Sequence, residues 1–144
     1  MFWDIDYTPG VLLVKGFNKN SLVASCQLKT AGQVSIIKAS ADKSQFGASS
    51  KELAHIEVQL SDNAGNPVYE ANNELLVTVE GPAVLLGLES GDLASHEDYK
   101  VNKRKAYNGK LLAYIQSGGQ PGRVKITISS PGLKSSTIFL KTVK

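Results

Sequence analysis

Apolar and polar residues alternate along this chain with a period of two, and clusters of glycine, proline and Asx residues interrupt the alternation. In "LAHIEVQL" (53–60), Ala54, Ile56, Val58 and Leu60 fall on one side and His55, Glu57 and Gln59 on the other. Successive strand side chains point to opposite faces, so this is the pattern of a half-buried strand. "ELLVTVE" groups Leu75, Val77 and Val79. "KLLAYIQ" sets Leu111, Ala113 and Ile115 against Leu112 and Tyr114. "RVKITIS" sets Val124, Ile126 and Ile128 against Arg123, Lys125 and Thr127, and "STIFLKT" carries Ile138 and Leu140. Between the runs, "SDNAGNP" (61–67), "EGP" (80–82), "NG" (108–109), "SGGQPG" (117–122) and "SPG" (130–132) supply the residues that tight turns require. No stretch carries a helical stripe. Short strands at this spacing predict an all-β chain, an immunoglobulin-like antiparallel β-sandwich, with a closed barrel as the alternative. Ile56, Val58, Val77, Leu86, Ile115, Ile126 and Ile128 are expected in its core.

Residues 1–32 read as a separate piece. Trp3, Ile5 and Tyr7 alternate with Asp4 and Asp6, "TPG" turns the chain, "VLLVKGF" runs back, "NKNS" turns it again and "LVASCQLKT" makes a third strand. A three-stranded meander cannot hide Trp3, Ile5, Tyr7, Val11, Leu13, Phe17 and Leu22 by itself. An uncovered patch of that kind marks an interface, with neighbouring domains or through self-association. "TAGQ" (30–33) reads as a hinge. The expected division is therefore 1–32, the end of a preceding β-sandwich domain, and 33–144, the immunoglobulin-like domain. Met1 is followed directly by "FWDIDY", with neither a basic start nor an apolar core for a signal peptide. The start is abrupt, as in a piece of a longer protein.

Composition narrows the function. With 42% hydrophobic and 20% charged residues, 144 residues can form a packed core. No apolar run approaches the roughly 20 residues of a membrane helix, so no membrane partner is expected. The net charge of +3 is scattered. Its densest cluster, "KRK" (103–105), reads as a solvated turn and not as the basic stripe with interleaved aromatics of a nucleic-acid binder. The single cysteine, Cys26, excludes an internal disulfide and a cysteine zinc site.

"ESGDLASHED" (89–98) holds the residue types of acid–base chemistry: Glu89, Asp92, Glu97, Asp98 and His96. A retaining glycosidase holds two carboxyl groups about 5–5.5 Å apart across the sugar, one with its pKa raised by burial. Glu97 and Asp98 are adjacent, so on an extended chain they point apart, and the small residues around them suggest exposure. Clustered oxygens also suit calcium, with Asp62, Asn63 and Asn66 as a second group, but neither stretch has EF-hand spacing. His96 lacks a histidine partner for zinc, since His55 lies in another strand. The structural reading is an ordered loop: Gly87 and Gly91 allow a sharp exit, Asp92 and Ser95 bond the local backbone, and Arg104 can pair with an acid. No catalytic, cofactor-binding or metal-binding residue is expected.

Two stretches carry a resemblance. "WDIDYTPGVLLVKGF…LKTAG" resembles the end of the β-sandwich domain that follows the catalytic barrel in many bacterial β-galactosidases of glycoside hydrolase family 2. "IIKASAD", "LAHIEVQLSDNAGNPV", "VEGPAVLLGLESGD", "SHEDYKVNKRKAYNGKLLAYIQS" and "PGRVKITISSPGL" resemble the immunoglobulin-like C-terminal domain that comes next. "LLGLESGD", "SHEDYK" and "R-x-AYNG" are the specific pieces. The resemblance implies a parent that hydrolyses β-galactosides with two glutamates on a (β/α)₈ barrel. A barrel needs about 250 residues with helices, so those residues have no counterpart here. The implied role is a non-catalytic accessory or structural domain that packs on its neighbours. The alternative is a carbohydrate-binding or adhesin-like module, for which Tyr99, Tyr107 and Tyr114 are the candidate sugar contacts.

Overall fold

The computed structural model describes every residue except Met1, Trp3 and Ser50. Its strands run β1 (Val11–Asn18), β2 (Ser21–Lys29), β3 (Ile36–Ala41), β4 (Gln45–Gly47), β5 (Leu53–Ser61), β6 (Glu74–Glu80), β7 (Ala83–Glu89), β8 (Lys103–Lys105), β9 (Lys110–Ser117), β10 (Gly122–Ser129) and β11 (Ser136–Val143). A five-stranded sheet, β4-β11-β10-β6-β8, faces a four-stranded sheet, β3-β5-β9-β7, and β1-β2 form a sheet of their own. The two larger sheets are separate, so the architecture is the immunoglobulin-like sandwich and not the barrel. Its pairings are antiparallel except at one edge, where β4 runs parallel to β11.

The period-two pattern decides which side chains fill the space between the sheets. Ala54, Ile56, Val58 and Leu60 of β5 and Leu111, Ala113 and Ile115 of β9 meet Leu75 and Val77 of β6 and Val124, Ile126 and Ile128 of β10; all are buried. Asn108 and Gly109 both have positive φ, 50° and 72°, in the tight turn where Tyr107 and Lys110 pair. That backbone suits the right-handed twist of paired strands. A Cβ on Gly109 would also collide with the carbonyl of Val68.

Three expectations change. Leu86 is 46% exposed, not core. On β7, Leu85 pairs with Ile115 and Gly87 with Tyr114, so Leu86 is an extra residue in a β-bulge that breaks the alternation. The "KRK" stretch is not a solvated turn: it is β8, on the edge of the larger sheet, with Lys103 and Lys105 outward and Arg104 fully buried. Described residues before Pro9 form no strand, so the three-stranded meander reduces to the β1–β2 hairpin. The strand expected around Trp3 falls partly outside the described residues.

Candidate functional site

The acidic loop between β7 and β8 binds its own backbone. Glu89 Oε1 accepts the Gly91 N–H at 2.6 Å, Asp92 Oδ1 that of Ala94 at 3.0 Å and Asp98 Oδ1 that of Lys100 at 2.9 Å. Glu97 accepts the Ser95 hydroxyl at 3.1 Å and the Lys105 N–H at 3.3 Å. The Glu89, Asp92 and Asp98 bonds each reach two residues on, a side chain standing in for a backbone acceptor, whereas Glu97 ties the loop to β8. His96 is exposed.

Arg104 organises the loop in a way the sequence concealed. It bonds no carboxylate among the described residues. Its Nε donates to Ser90 Oγ at 3.3 Å and Nη1 to the Glu97 carbonyl at 3.2 Å, and the Tyr99 ring lies 4.3 Å from the guanidinium carbon. The loop is thus drawn over a buried cation. The Tyr99 carbonyl accepts the Leu88 N–H and sits where a Cβ on Gly87 would lie at 2.9 Å. Gly87 is needed for this close approach, and Gly91, with φ 79°, supplies the left-handed turn.

The three tyrosines are engaged separately. Tyr99 covers Arg104, Tyr107 sits in the β8–β9 turn, and Tyr114 meets the His55 ring edge-on with centroids 5.4 Å apart. His55 Nδ1 lies 2.8 Å from Asp42 Oδ2. Desolvation pushes the Asp42 carboxyl up, but the hydrogen bonds from the His55 ring and backbone outweigh it and leave the group below its usual value.

The second oxygen-rich group, Asp62–Asn66, closes a turn and ties it to a distant segment. Asp62 is buried. Its Oδ1 accepts the N–H groups of Ala64 and Asn66 at 3.0 and 2.8 Å. Its Oδ2 accepts the Asn66 amide at 2.8 Å and the N–H of Gly32, thirty residues away, at 2.9 Å. Both oxygens face donors. The Gly32 N–H and then the Asn66 amide are the main reasons the carboxyl is held down at about 2. The "TAGQ" stretch is therefore pinned to the sandwich by one side chain.

Beyond that pin stands the hairpin. Lys19 and Asn20 make its two-residue turn with φ of 46° and 67°. At its base Thr30 N donates to the Gly10 carbonyl and Gly10 N to Thr30 Oγ1, 2.9 and 3.0 Å. Leu12 pairs with Leu28, Val14 with Cys26 and Gly16 with Ala24, so one face of the ribbon is wholly apolar or small. The other face mixes Val11 and Leu13 with Lys15, Ser25, Gln27 and Lys29. Leu12, Leu13, Phe17, Leu22, Val23 and Leu28 are all exposed, by 40 to 65%. Among the described residues this is the densest exposed apolar surface, and its length on the chain was legible from "VLLVKGF" and "LVASCQLKT". Which face is apolar was not, because that depends on the pairing register.

Residues 37–139 match the family described as glycoside hydrolase family 2 C-terminal domain 5. The chain is 34% identical over 136 residues to Beta-galactosidase BoGH2A of Bacteroides ovatus, covering 94% of this chain and 16% of that protein. A solved glycosyl hydrolase family 2 member from Bacteroides cellulosilyticus superposes with a TM-score of 0.94 at 29% identity, over 99% of this chain and 18% of its own. A β-glycosidase from Bacteroides vulgatus gives 0.90 at 26% identity, over 97% of this chain and 18% of that one. The chain thus spans under a fifth of the length of these relatives.

Proposed function

The chain belongs to the glycoside hydrolase family 2 C-terminal domain 5 family, and from that membership we propose that it is the non-catalytic C-terminal accessory domain of an enzyme that hydrolyses β-galactosides. The observation that carries the reading is the match to a β-galactosidase along almost the whole chain while covering only a small part of that protein. The acid-rich loop supports it: its carboxylates bond the loop's own backbone and the neighbouring strand β8, and the cation beneath it is buried under Tyr99. The domain's work is to pack on neighbouring domains of the parent. Residues 33–144 make the accessory unit, and residues 1–32 belong with what precedes it.

The test is an assay of the 144-residue chain and of the longer polypeptide on nitrophenyl β-galactoside and β-glucuronide. The expected result is no turnover by the chain and β-galactoside cleavage by the longer protein. Turnover by the chain that Glu97→Gln or Asp98→Asn abolishes would overturn the non-catalytic reading. A parent that cleaves only the glucuronide would overturn the substrate. Saturable binding of galactosyl oligosaccharides to the isolated chain would favour a sugar-binding module instead.

A further inference from the structure

We propose that the groove across the outer face of the four-stranded sheet, between Lys110 and Glu57, binds a stretch of neutral glycan main chain free of galactose. It gives the accessory domain a task besides packing on its neighbours. The site uses none of the tyrosines and no residue before Lys38.

The groove follows from the pairing register. Ala39, Val58 and Leu111 lie opposite one another on β3, β5 and β9, and their side chains turn inward to the core. Their backbone is left as the floor of a trough that crosses the strands, with a volume of about 940 Å³. The flanking rows point outward, since side chains alternate along a strand. Lys38, Gln59 and Lys110 make one wall, and Ser40, Glu57, Leu112 and Glu89 make the other. Ser90 and Gly91 close the end beyond β7. β3 and β9 are two strand spacings, about 10 Å, apart, so the trough takes a run of sugar rings and not one alone.

The polar groups of the walls are free to meet a ligand. Glu57 and Lys110 are exposed and stand diagonally across the trough, within reach of long side chains. Neither side chain has a hydrogen-bond or ion-pair partner among the described residues. Gln59 spends its amide N–H groups on the Leu60 and Gly109 carbonyls, which leaves its oxygen to accept. Ser90 Oγ accepts from Arg104 Nε, which leaves its own proton to donate. Glu89 keeps one carboxylate oxygen after bonding Gly91. Lys38 and Lys110 cancel Glu57 and Glu89 in charge, which disfavours an ionic ligand of either sign. A sugar hydroxyl both donates and accepts, so it suits ammonium, carboxylate, amide and hydroxyl groups alike, and the bonds to the charged groups are the strong ones. Leu112, half-buried in the acidic wall, offers an apolar contact to the C–H face of a ring.

Amide NMR spectra of the 144-residue chain, titrated in turn with cellohexaose, xylohexaose, mannohexaose and maltohexaose, test this. None of these carries the galactosyl group that the parent is proposed to cleave. At least one should shift the amides of residues 38–40, 57–59, 89–91 and 110–112 saturably. Glu57→Ala and Lys110→Ala should each weaken that binding about tenfold, as loss of one hydrogen bond to a charged group does. Both side chains are exposed, so these variants should fold as wild type does. Arg123→Ala, on the other sheet, should bind as wild type does. No shift with any of the four sugars, shifts confined to other residues, or unchanged affinity in both groove variants would overturn the proposal. A peptide of alternating lysine and glutamate that shifts these amides where the sugars do not would give the groove to a polypeptide instead. A parent that cleaves no β-galactoside would overturn the substrate proposed above and leave the groove's binding untouched.

Discussion

Asp62 receives four hydrogen bonds on two oxygens, three from its own turn and one from Gly32. The turn was readable in "SDNAGNP", because Asp and Asn bond the backbone a few residues on. The distant partner was not, since nothing in a local pattern says that residue 32 returns to residue 62. The same limit hid the burial of Arg104, whose neighbours in sequence are two exposed lysines. A carboxyl held near 2 in the folded state binds its proton less readily than in the unfolded chain, where the value is 3.8. Its stabilisation is thus complete above about pH 4, fades as pH falls, and is gone below about pH 2. Asp62→Asn should lower the melting temperature at pH 7. The gap from wild type should narrow between pH 4 and pH 2 in thermal melts. A gap that stays constant across that range would remove Asp62's charge from the explanation.

Strand by strand, alternation located the core well where the ladder is regular. In β5, β9 and β10 every second residue is buried, and the facing side chains could be named in advance. β7 breaks the rule because one added residue shifts all that follow to the other face, and "AVLLGLE" has no local mark of it beyond the glycine. The difference is measurable. Leu86→Ser, on the bulge, should change stability by less than about 1 kcal/mol, as exposed substitutions do. Ile126→Ala, at 0% exposure, should cost on the order of 2–5 kcal/mol. Urea unfolding at constant m-value reads both. Similar losses at the two positions would show that β7 is paired in a different register.

Across the whole molecule, the sandwich core draws on none of the described residues among 1–32, and β1 and β2 pair with no described strand but each other. Residues 33–144 are therefore expected to fold without them. Calorimetry should show one cooperative transition, displaced by the loss of the Gly32 bond, and sedimentation a monomer. A truncated chain that is unfolded at room temperature would join the hairpin to the domain's own stability. The parallel edge has a consequence of another kind. β4 pairs with β11 through Gln45↔Lys141 and Val143↔Gly47, so an early segment of the sandwich is completed by its last strand. β10, at the centre of that sheet, pairs with both β6 and β11. Until residues 122–143 have been synthesised, the larger sheet lacks its middle, and β5 and β9 can face only β6 and β8. Loop-closure entropy must be met before these distant pairings stabilise anything, which sets folding on the millisecond-to-second scale. On the ribosome the sandwich cannot assemble strand by strand: it waits, exposed to proteases and to association through its bare edges, and then closes in one step.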